Sequence, residues 1–147
     1  MSVSRTRARR LALQGLYEWQ MSDNSPAEII ARLKDTKEAQ GMDTDYFQEL
    51  MLQVPAQVET LDKHLQVYME RDLADIDWVE RAALRLGAYE LTVRLDIPYR
   101  VAINESVELA KRYGADQSHK FINGILDKLA AEVRAIEIAA KAGKKSS

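Results

Sequence analysis

Apolar residues recur with the spacing of amphipathic α-helices along most of this 147-residue sequence. Glycine and proline, which interrupt helices, are scarce and stand mostly between the periodic segments, as at Pro26, Gly41, Pro98 and Gly114. No segment shows the sustained alternation of apolar and polar residues that is typical of a half-buried strand. The sequence therefore predicts an all-α protein, which excludes any fold built on a sheet.

The periodicity predicts six helical segments, over residues 4–21, 26–37, 45–70, 77–94, 102–113 and 118–134. Pro55 lies inside the third segment and should kink or divide it. We expect Gly114 to end the fifth helix as a left-handed C-cap and Ser118 to cap the start of the sixth. Residues 1–138 are predicted to form one domain, and residues 139–147 a flexible basic tail.

Composition and motifs exclude several functions. Cysteine is absent, so the chain has no disulfide, no thiolate nucleophile and no cysteine-based zinc site. The sequence contains no glycine-rich phosphate loop, no Gly-x-Ser-x-Gly and no His-Glu-x-x-His, and its two histidines lie in different segments. No apolar run is long enough for a membrane span or a signal peptide. We expect a cytoplasmic protein that is not an enzyme and binds no metal or cofactor.

Positive charge is concentrated at the N-terminus. The first ten residues contain Arg5, Arg7, Arg9 and Arg10 and no acidic residue, although the whole chain has a net charge of -2. Clustered arginines of this kind bind phosphate backbones, because they displace the condensed counterions. The cluster therefore indicates a nucleic-acid ligand in spite of the acidic total.

The first predicted helix has a core face and an opposite polar face. At 100° per residue, the core face carries Ala8, Leu11, Ala12, Gly15, Leu16 and Trp19. The opposite face carries Arg7, Arg10, Gln14 and Tyr17. Guanidinium groups beside an exposed aromatic ring suit a single-stranded nucleic acid. The alternative is that the arginines only solvate the helix end, although positive charge at an N-terminus opposes the helix dipole.

Two later helices are candidates for further contacts. The segment 77–94 is apolar on two faces, as expected of a central core helix or of a helix that carries a partner. Gly87 and Ala88 would let a neighbouring helix approach it closely. In the sixth helix, Lys120 faces away from the buried stripe and Phe121 lies at its edge, so Phe121 is either a core residue or a partly exposed stacking ring.

Three stretches of the sequence together resemble the NusB family of bacterial antitermination factors. Residues 9–20 read RRLALQGLYEWQ, and residues 84–91 read LRLGAYEL. Residues 97–111 read IPYRVAINESVELAK, and residues 113–127 read YGADQSHKFINGILD. The resemblance covers about residues 5–134 in the family order, with residues 22–75 less distinctive.

The resemblance implies an all-α fold of two small helical bundles with about six to seven helices and no catalytic activity. It also implies binding to the boxA element of nascent ribosomal RNA leader transcripts together with NusE, a small-subunit ribosomal protein. With other Nus factors and RNA polymerase, that pair suppresses premature termination. By position, the RNA contacts would be Arg5, Arg7, Arg9, Arg10, Gln117, Lys120 and Phe121, with Tyr17 on or beside the same surface. Glu80 and its exposed neighbours would meet the protein partner.

Two other functions compete with this one. A NusB-like domain also recruits substrate in ribosomal RNA cytosine methyltransferases, but a cofactor-binding fold is not expected in 147 residues of this pattern. The chain could also be a protein-only interaction module, or a homodimer that uses Tyr17 and the second apolar stripe of the segment 77–94 without binding RNA. The sequence leaves the choice between monomer and homodimer open.

Overall fold

The structure, a computed structural model, describes residues 2–146 and is helical almost throughout them. Its α-helices are α1 (Val3–Met21), α2 (Pro26–Leu33), α3 (Thr44–Ala56), α4 (Val58–Gln66), α5 (Trp78–Thr92), α6 (Tyr99–Tyr113), α7 (Ser118–Val133) and α8 (Ala135–Ser146). Short 3₁₀ turns occupy Lys37–Ala39 and Leu73–Asp75. The described residues include no strand, and none of their helices has the length and apolar character needed to cross a membrane. The predicted all-α class is confirmed.

The helices pack as two small bundles. Helices α1, α2 and α3 contact one another in the first bundle, and α4, α5, α6 and α7 form the second. Helix α5 joins the two, because it packs on α4, α6 and α7 and also touches α1 and α3. Its residues 82–84 and 86–91 are all buried, as expected of a central helix.

The helix count exceeds the expected six to seven for two reasons. Pro55 lies in the last turn of α3, and the chain leaves the helical conformation at Gln57 before α4 begins, so the predicted division is confirmed. Beyond Arg134 the chain forms α8, which includes residues 139–146 of the predicted tail. The flexibility of that tail stays a prediction, and Ser147 lies outside the described residues.

Gly114 ends α6 as its C-cap, as predicted, but the left-handed conformation expected there and the N-cap expected at Ser118 are wrong. Gly114 is extended, with φ -89° and ψ 175°, and a Cβ there would lie 2.8 Å from the carbonyl oxygen of Ala110. Close approach of the backbone, and not a left-handed turn, therefore requires glycine at this position. The left-handed residue is Gln117, with φ 71°, and Ser118 is already the first residue of α7. The Ser118 hydroxyl donates to Glu80 Oε1 at 2.7 Å instead of capping its own helix.

Residues after α7 cap the two central helices. The buried guanidinium of Arg134 donates to the carbonyl oxygens of Glu90 and Leu91, in the last turn of α5, and of Arg94, two residues after the helix, at 2.8–3.0 Å. Its Nη1 also donates to Glu137 Oε1 at 2.7 Å. The other oxygen of Glu137 accepts from the backbone N–H of Tyr99, at the start of α6, at 2.9 Å. Arg134 and Glu137 thus satisfy backbone groups at the ends of both helices.

Gly87 allows α5 to approach α6 and α7 closely. A Cβ at this position would lie 2.5 Å from Leu126 Cδ1 and 2.8 Å from Ser106 Oγ. By contrast, a Cβ at Gly124 on α7 would meet nothing within 4 Å. These distances confirm the close approach expected at Gly87.

Replacing the two glycines by alanine should change stability in opposite directions. Gly124→Ala should raise the free energy of unfolding by about 0.5–1 kcal/mol, because alanine is the better helix former. Gly87→Ala should lower it by about 1–3 kcal/mol, because the methyl group overpacks the core. Urea denaturation followed by circular dichroism measures both values. A stabilising Gly87→Ala would contradict the close packing described above.

Candidate nucleic-acid interface

A cleft of about 350 Å³ lies between α1, the turn after α2 and the end of α6. It is lined by Arg7, Arg10, Leu11, Gln14, Lys37, Glu38, Gln40, Arg112 and Tyr113. Four of these nine side chains are cationic and one is acidic, so the cleft attracts anions. We call it the cationic cleft.

Contacts with the turn hold Arg7 in the cationic cleft. Its Nη1 donates to the carbonyl oxygen of Gln40 at 2.9 Å, which uses one of the five N–H groups of the guanidinium. Gly41 makes room for this contact, because a Cβ there would lie 2.4 Å from Arg7 Nη1. Gly41 also has φ +77°, a conformation that glycine adopts at little cost.

An apolar groove adjoins the cationic cleft along α1. It is lined by Arg10, Leu13, Gln14, Tyr17, Val79 and Tyr113. The residues Tyr17 and Tyr113 are 37% and 46% exposed, so both offer surface to a ligand. Exposed aromatic rings beside cations are the usual means of holding the bases and phosphates of a single strand. We call this feature the aromatic groove.

The start of α7 lies close to the aromatic groove. Ser118 bonds to Glu80, which follows Val79 of the groove, and a Cβ at Gly114 would lie 3.2 Å from Ser118 Cβ. Around this point Gln117 and Lys120 are exposed, whereas Phe121 is half-buried and packs against the core. Glu80 is half-buried and already accepts one hydrogen bond, so only part of its carboxylate is available to a partner.

Arg5 lies outside the cationic cleft, at the N-terminal end of α1. Its Nε is 3.9 Å from Asp43 Oδ2, and its guanidinium lies 5.0 Å from the centre of the Tyr46 ring. It lines a separate depression that includes Asp96 and Pro98. The structure therefore groups Arg7, Arg10 and Tyr17 in one surface but does not bring Arg5 into it.

Arg9 is in the interior, which corrects the expectation that it faces a ligand. Its side chain is 4% exposed, and its Nε donates to both carboxylate oxygens of Glu90, at 2.8 and 3.1 Å. Its Nη1 lies 3.2 Å from Glu105 Oε1, and the Tyr46 hydroxyl donates to Glu90. Because a buried charge must be paired, these contacts hold Arg9 inside, and it cannot reach RNA in this structure.

Burial and charge shift the pKa values within this cluster. Burial raises the pKa of Glu90, although Arg9 and the hydrogen bond from Tyr46 oppose the shift. The pKa of Tyr46 is also raised, by burial and by the neighbouring Glu90 carboxylate. The pKa of Arg9 is raised overall. Burial lowers it, but the neighbouring Glu90, Tyr46 and Glu105 raise it by more, so the guanidinium stays charged. The cluster is a buried ion pair that joins helices of the fold.

Three residues that give the cationic cleft a cation or an aromatic ring, Lys37, Arg112 and Tyr113, were missed by the sequence analysis. Arg112 and Tyr113 end α6 just before Gly114, and a basic and an aromatic residue together at a helix end were a usable signal. Lys37 gave no such signal, because its place depends on how the turn after α2 packs against α1.

The fold and this surface define a class: a small all-α protein of two bundles, with a basic and aromatic face of the kind that holds single-stranded nucleic acid. The sequence profile of the NusB family matches residues 6–131. The chain belongs to the NusB family.

Individual relatives agree with this membership. The transcription antitermination protein NusB of Acinetobacter baylyi is 51% identical over 135 residues, which cover 92% of this chain and 91% of that protein. The protein of the same name from Proteus mirabilis is 47% identical over 132 residues, covering 90% and 96% of the two chains.

Solved structures show the same fold. The T. maritima NusB structure superposes with a TM-score of 0.79 at 32% identity, covering 90% of this chain and 94% of that one. A crystal structure of the antitermination factors NusB and NusE in complex with dsRNA contains a chain with a TM-score of 0.78 at 27% identity. That match covers 88% of this chain and 97% of the other.

The different environments of Arg9 and Arg10 predict different effects on stability. Arg9→Ala should lower the free energy of unfolding by about 3–5 kcal/mol, because it leaves buried carboxylates without a counter-charge. Arg10→Ala should change it by about 0.5 kcal/mol or less. Urea denaturation of both variants measures the difference. A loss of only about 0.5 kcal/mol for Arg9→Ala would show that Arg9 is not structural.

Proposed function

We propose that this protein is a transcription antitermination factor that binds boxA-type single-stranded RNA in nascent ribosomal RNA leader transcripts together with NusE. In this role it helps RNA polymerase, with other Nus factors, to avoid premature termination. The observation that carries the proposal is the cationic cleft beside the aromatic groove on α1. Membership in the NusB family and the similarity to a NusB chain in a complex with NusE and dsRNA support it.

In the proposed complex, the cations and the aromatic rings contact different parts of the RNA. Arg7 and Arg10, with Lys37 and Arg112, hold phosphates, and the rings of the aromatic groove stack on bases. The surface continues to Gln117, Lys120 and Phe121 at the start of α7, while Arg5 would contact the RNA from a separate depression outside the cationic cleft. Arg9 is left out, because its guanidinium is buried.

The partner protein supplies the surface that this chain lacks. A few cations on a chain of net charge -2 neutralise only a few phosphates, so the affinity of this chain alone should be low. We place the partner at Glu80 and the exposed residues near it on α5. RNA held across both proteins couples the two binding events, so each ligand strengthens the other. The proposed function places the protein in the cytoplasm, with residues 1–138 as the binding domain.

The decisive experiment measures binding of a fluorescent boxA-like RNA across a salt series, with and without NusE. We expect tighter binding with NusE present. The slope of log K against log salt should be about -0.7 per phosphate contact. Absence of binding in both arms would overturn the proposal and favour the protein-only module or homodimer.

Removing two cations from the cationic cleft should weaken RNA binding without unfolding the protein. For Arg7→Ala combined with Arg10→Ala, we expect a Kd raised about tenfold or more and a salt slope smaller in magnitude by about 1.4. Fluorescence anisotropy gives both values, and circular dichroism monitors the fold.

The matched control is Lys63→Ala combined with Lys128→Ala. It removes the same charge from exposed positions that do not line the cationic cleft. The control should bind RNA nearly as well as the unmodified protein. Equal losses in the two double variants would show that total charge, and not the cleft, governs binding. Unfolding of the Arg7 and Arg10 variant would make those residues structural.

A further inference from the structure

Glu105 of α6 bonds to α1 through two side chains at once. Its carboxylate is buried, and Oε1 accepts a hydrogen bond from Thr6 Oγ1 at 2.7 Å. The same oxygen lies 3.2 Å from Arg9 Nη1. Thr6 and Arg9 are three residues apart, so they stand on the same side of α1, about one turn from each other.

These contacts lie next to both walls of the cationic cleft. On α1, Thr6 and Arg9 immediately precede Arg7 and Arg10, which line the cleft. On α6, Arg112 of the opposite wall lies two turns beyond Glu105 on the same helix. A second depression is lined by Thr6, Arg10, Glu105 and Arg112 together with Glu108, Leu109 and Lys111, so it runs along the line where the two helices meet.

Glu105 links α1 to a different helix than Glu90 does. Glu90 belongs to α5 and already pairs with Arg9 through Nε, so the link between α1 and α5 does not need Glu105. The Thr6 hydroxyl also lies 3.2 Å from the carbonyl oxygen of Ser2 at the start of α1, but its shorter bond, to Glu105 at 2.7 Å, joins α1 to α6 alone. Two directional contacts from one turn of α1 to a single carboxylate fix how far α1 is rotated and shifted along α6. Binding groups need placement within about 0.5 Å of the productive geometry.

From this geometry we infer that Glu105, acting through Thr6, is a positioning residue for RNA. It sets the separation between the arginines of α1 and the Arg112–Tyr113 end of α6, so that one strand can contact both walls. The inference rests on the proposed function, because it concerns the RNA surface. Glu105 itself need not touch RNA.

The test compares Thr6→Val, which removes the hydroxyl and keeps the side-chain shape, with Thr6→Ser, which keeps the hydroxyl. For a boxA-like RNA we expect Thr6→Val to raise the Kd about three- to tenfold. The Kd of Thr6→Ser should stay within about twofold of the Kd of the unmodified protein, because the hydroxyl is kept. All measurements are made at a temperature where circular dichroism shows every variant to be fully folded.

The matched control is Thr92→Val. The Thr92 hydroxyl donates to the carbonyl oxygen of Ala88 at 2.7 Å near the end of α5, and Thr92 lines none of the depressions described above. If Thr6 contributed only to stability, Thr6→Val and Thr92→Val would lower the thermal midpoint and leave the Kd of folded protein unchanged. We expect only Thr6→Val to change the Kd.

The outcomes separate this inference from the proposed function. If the unmodified protein binds no RNA with or without NusE, the proposed function fails and the inference fails with it. If the unmodified protein binds RNA and Thr6→Val binds equally well, only the positioning inference is overturned. It is also overturned if Thr6→Ser is as weak as Thr6→Val, because the hydroxyl would then not be the group that matters.

Discussion

The ion pair between Arg9 and Glu90 is the interaction on which the arrangement of the two bundles depends. Both side chains are almost fully buried, at 4% and 1% exposure, with 2.8 Å between Nε and Oε2. Tyr46 of α3 and Glu105 of α6 join the pair, so four helices from both bundles meet at one polar cluster. Apolar packing is not directional, whereas these contacts are. Loss of one partner would leave a charge in the core, which excludes most alternative packings of α1.

This constraint explains how α1 carries clustered arginines with separate roles. Successive helix positions point about 100° apart, so fixing Arg9 inward turns Arg10 toward the cationic cleft. The first turn of α1 contains no acidic residue, and only the Ser2 side chain caps it, by accepting from the N–H of Arg5 at 3.3 Å. Carboxylates from α5 and α6 supply the negative charge that the helix itself lacks near its basic end. The helix that carries the cationic cleft is thus held in place by the buried carboxylates of Glu90 and Glu105.

The sequence predicted the helices well but placed one arginine wrongly. Helix periodicity located the segments that form α1 to α7, and Pro55 divided the third segment as expected, but α8 was not predicted. The burial of Arg9 was missed because it was read as part of a terminal cluster. Its spacing held the opposite signal: Leu13 and Leu16 follow it by four and seven residues, and both are buried. An arginine at this position is buried only if an acidic residue from another helix pairs with it. The sequence does not show which distant acidic residue that is.

The walls of the cationic cleft show why the site was only partly predictable. Its cations come from α1, from the turn at Lys37 and from Arg112 at the end of α6, positions that are distant along the chain. Local patterns identify each element but not which of them meet. The same reasoning applies at the C-terminus, where the family profile ends at residue 131, yet Arg134 and Glu137 complete the ends of α5 and α6. Residues beyond the end of the family profile can therefore hold in place the helices that carry the site.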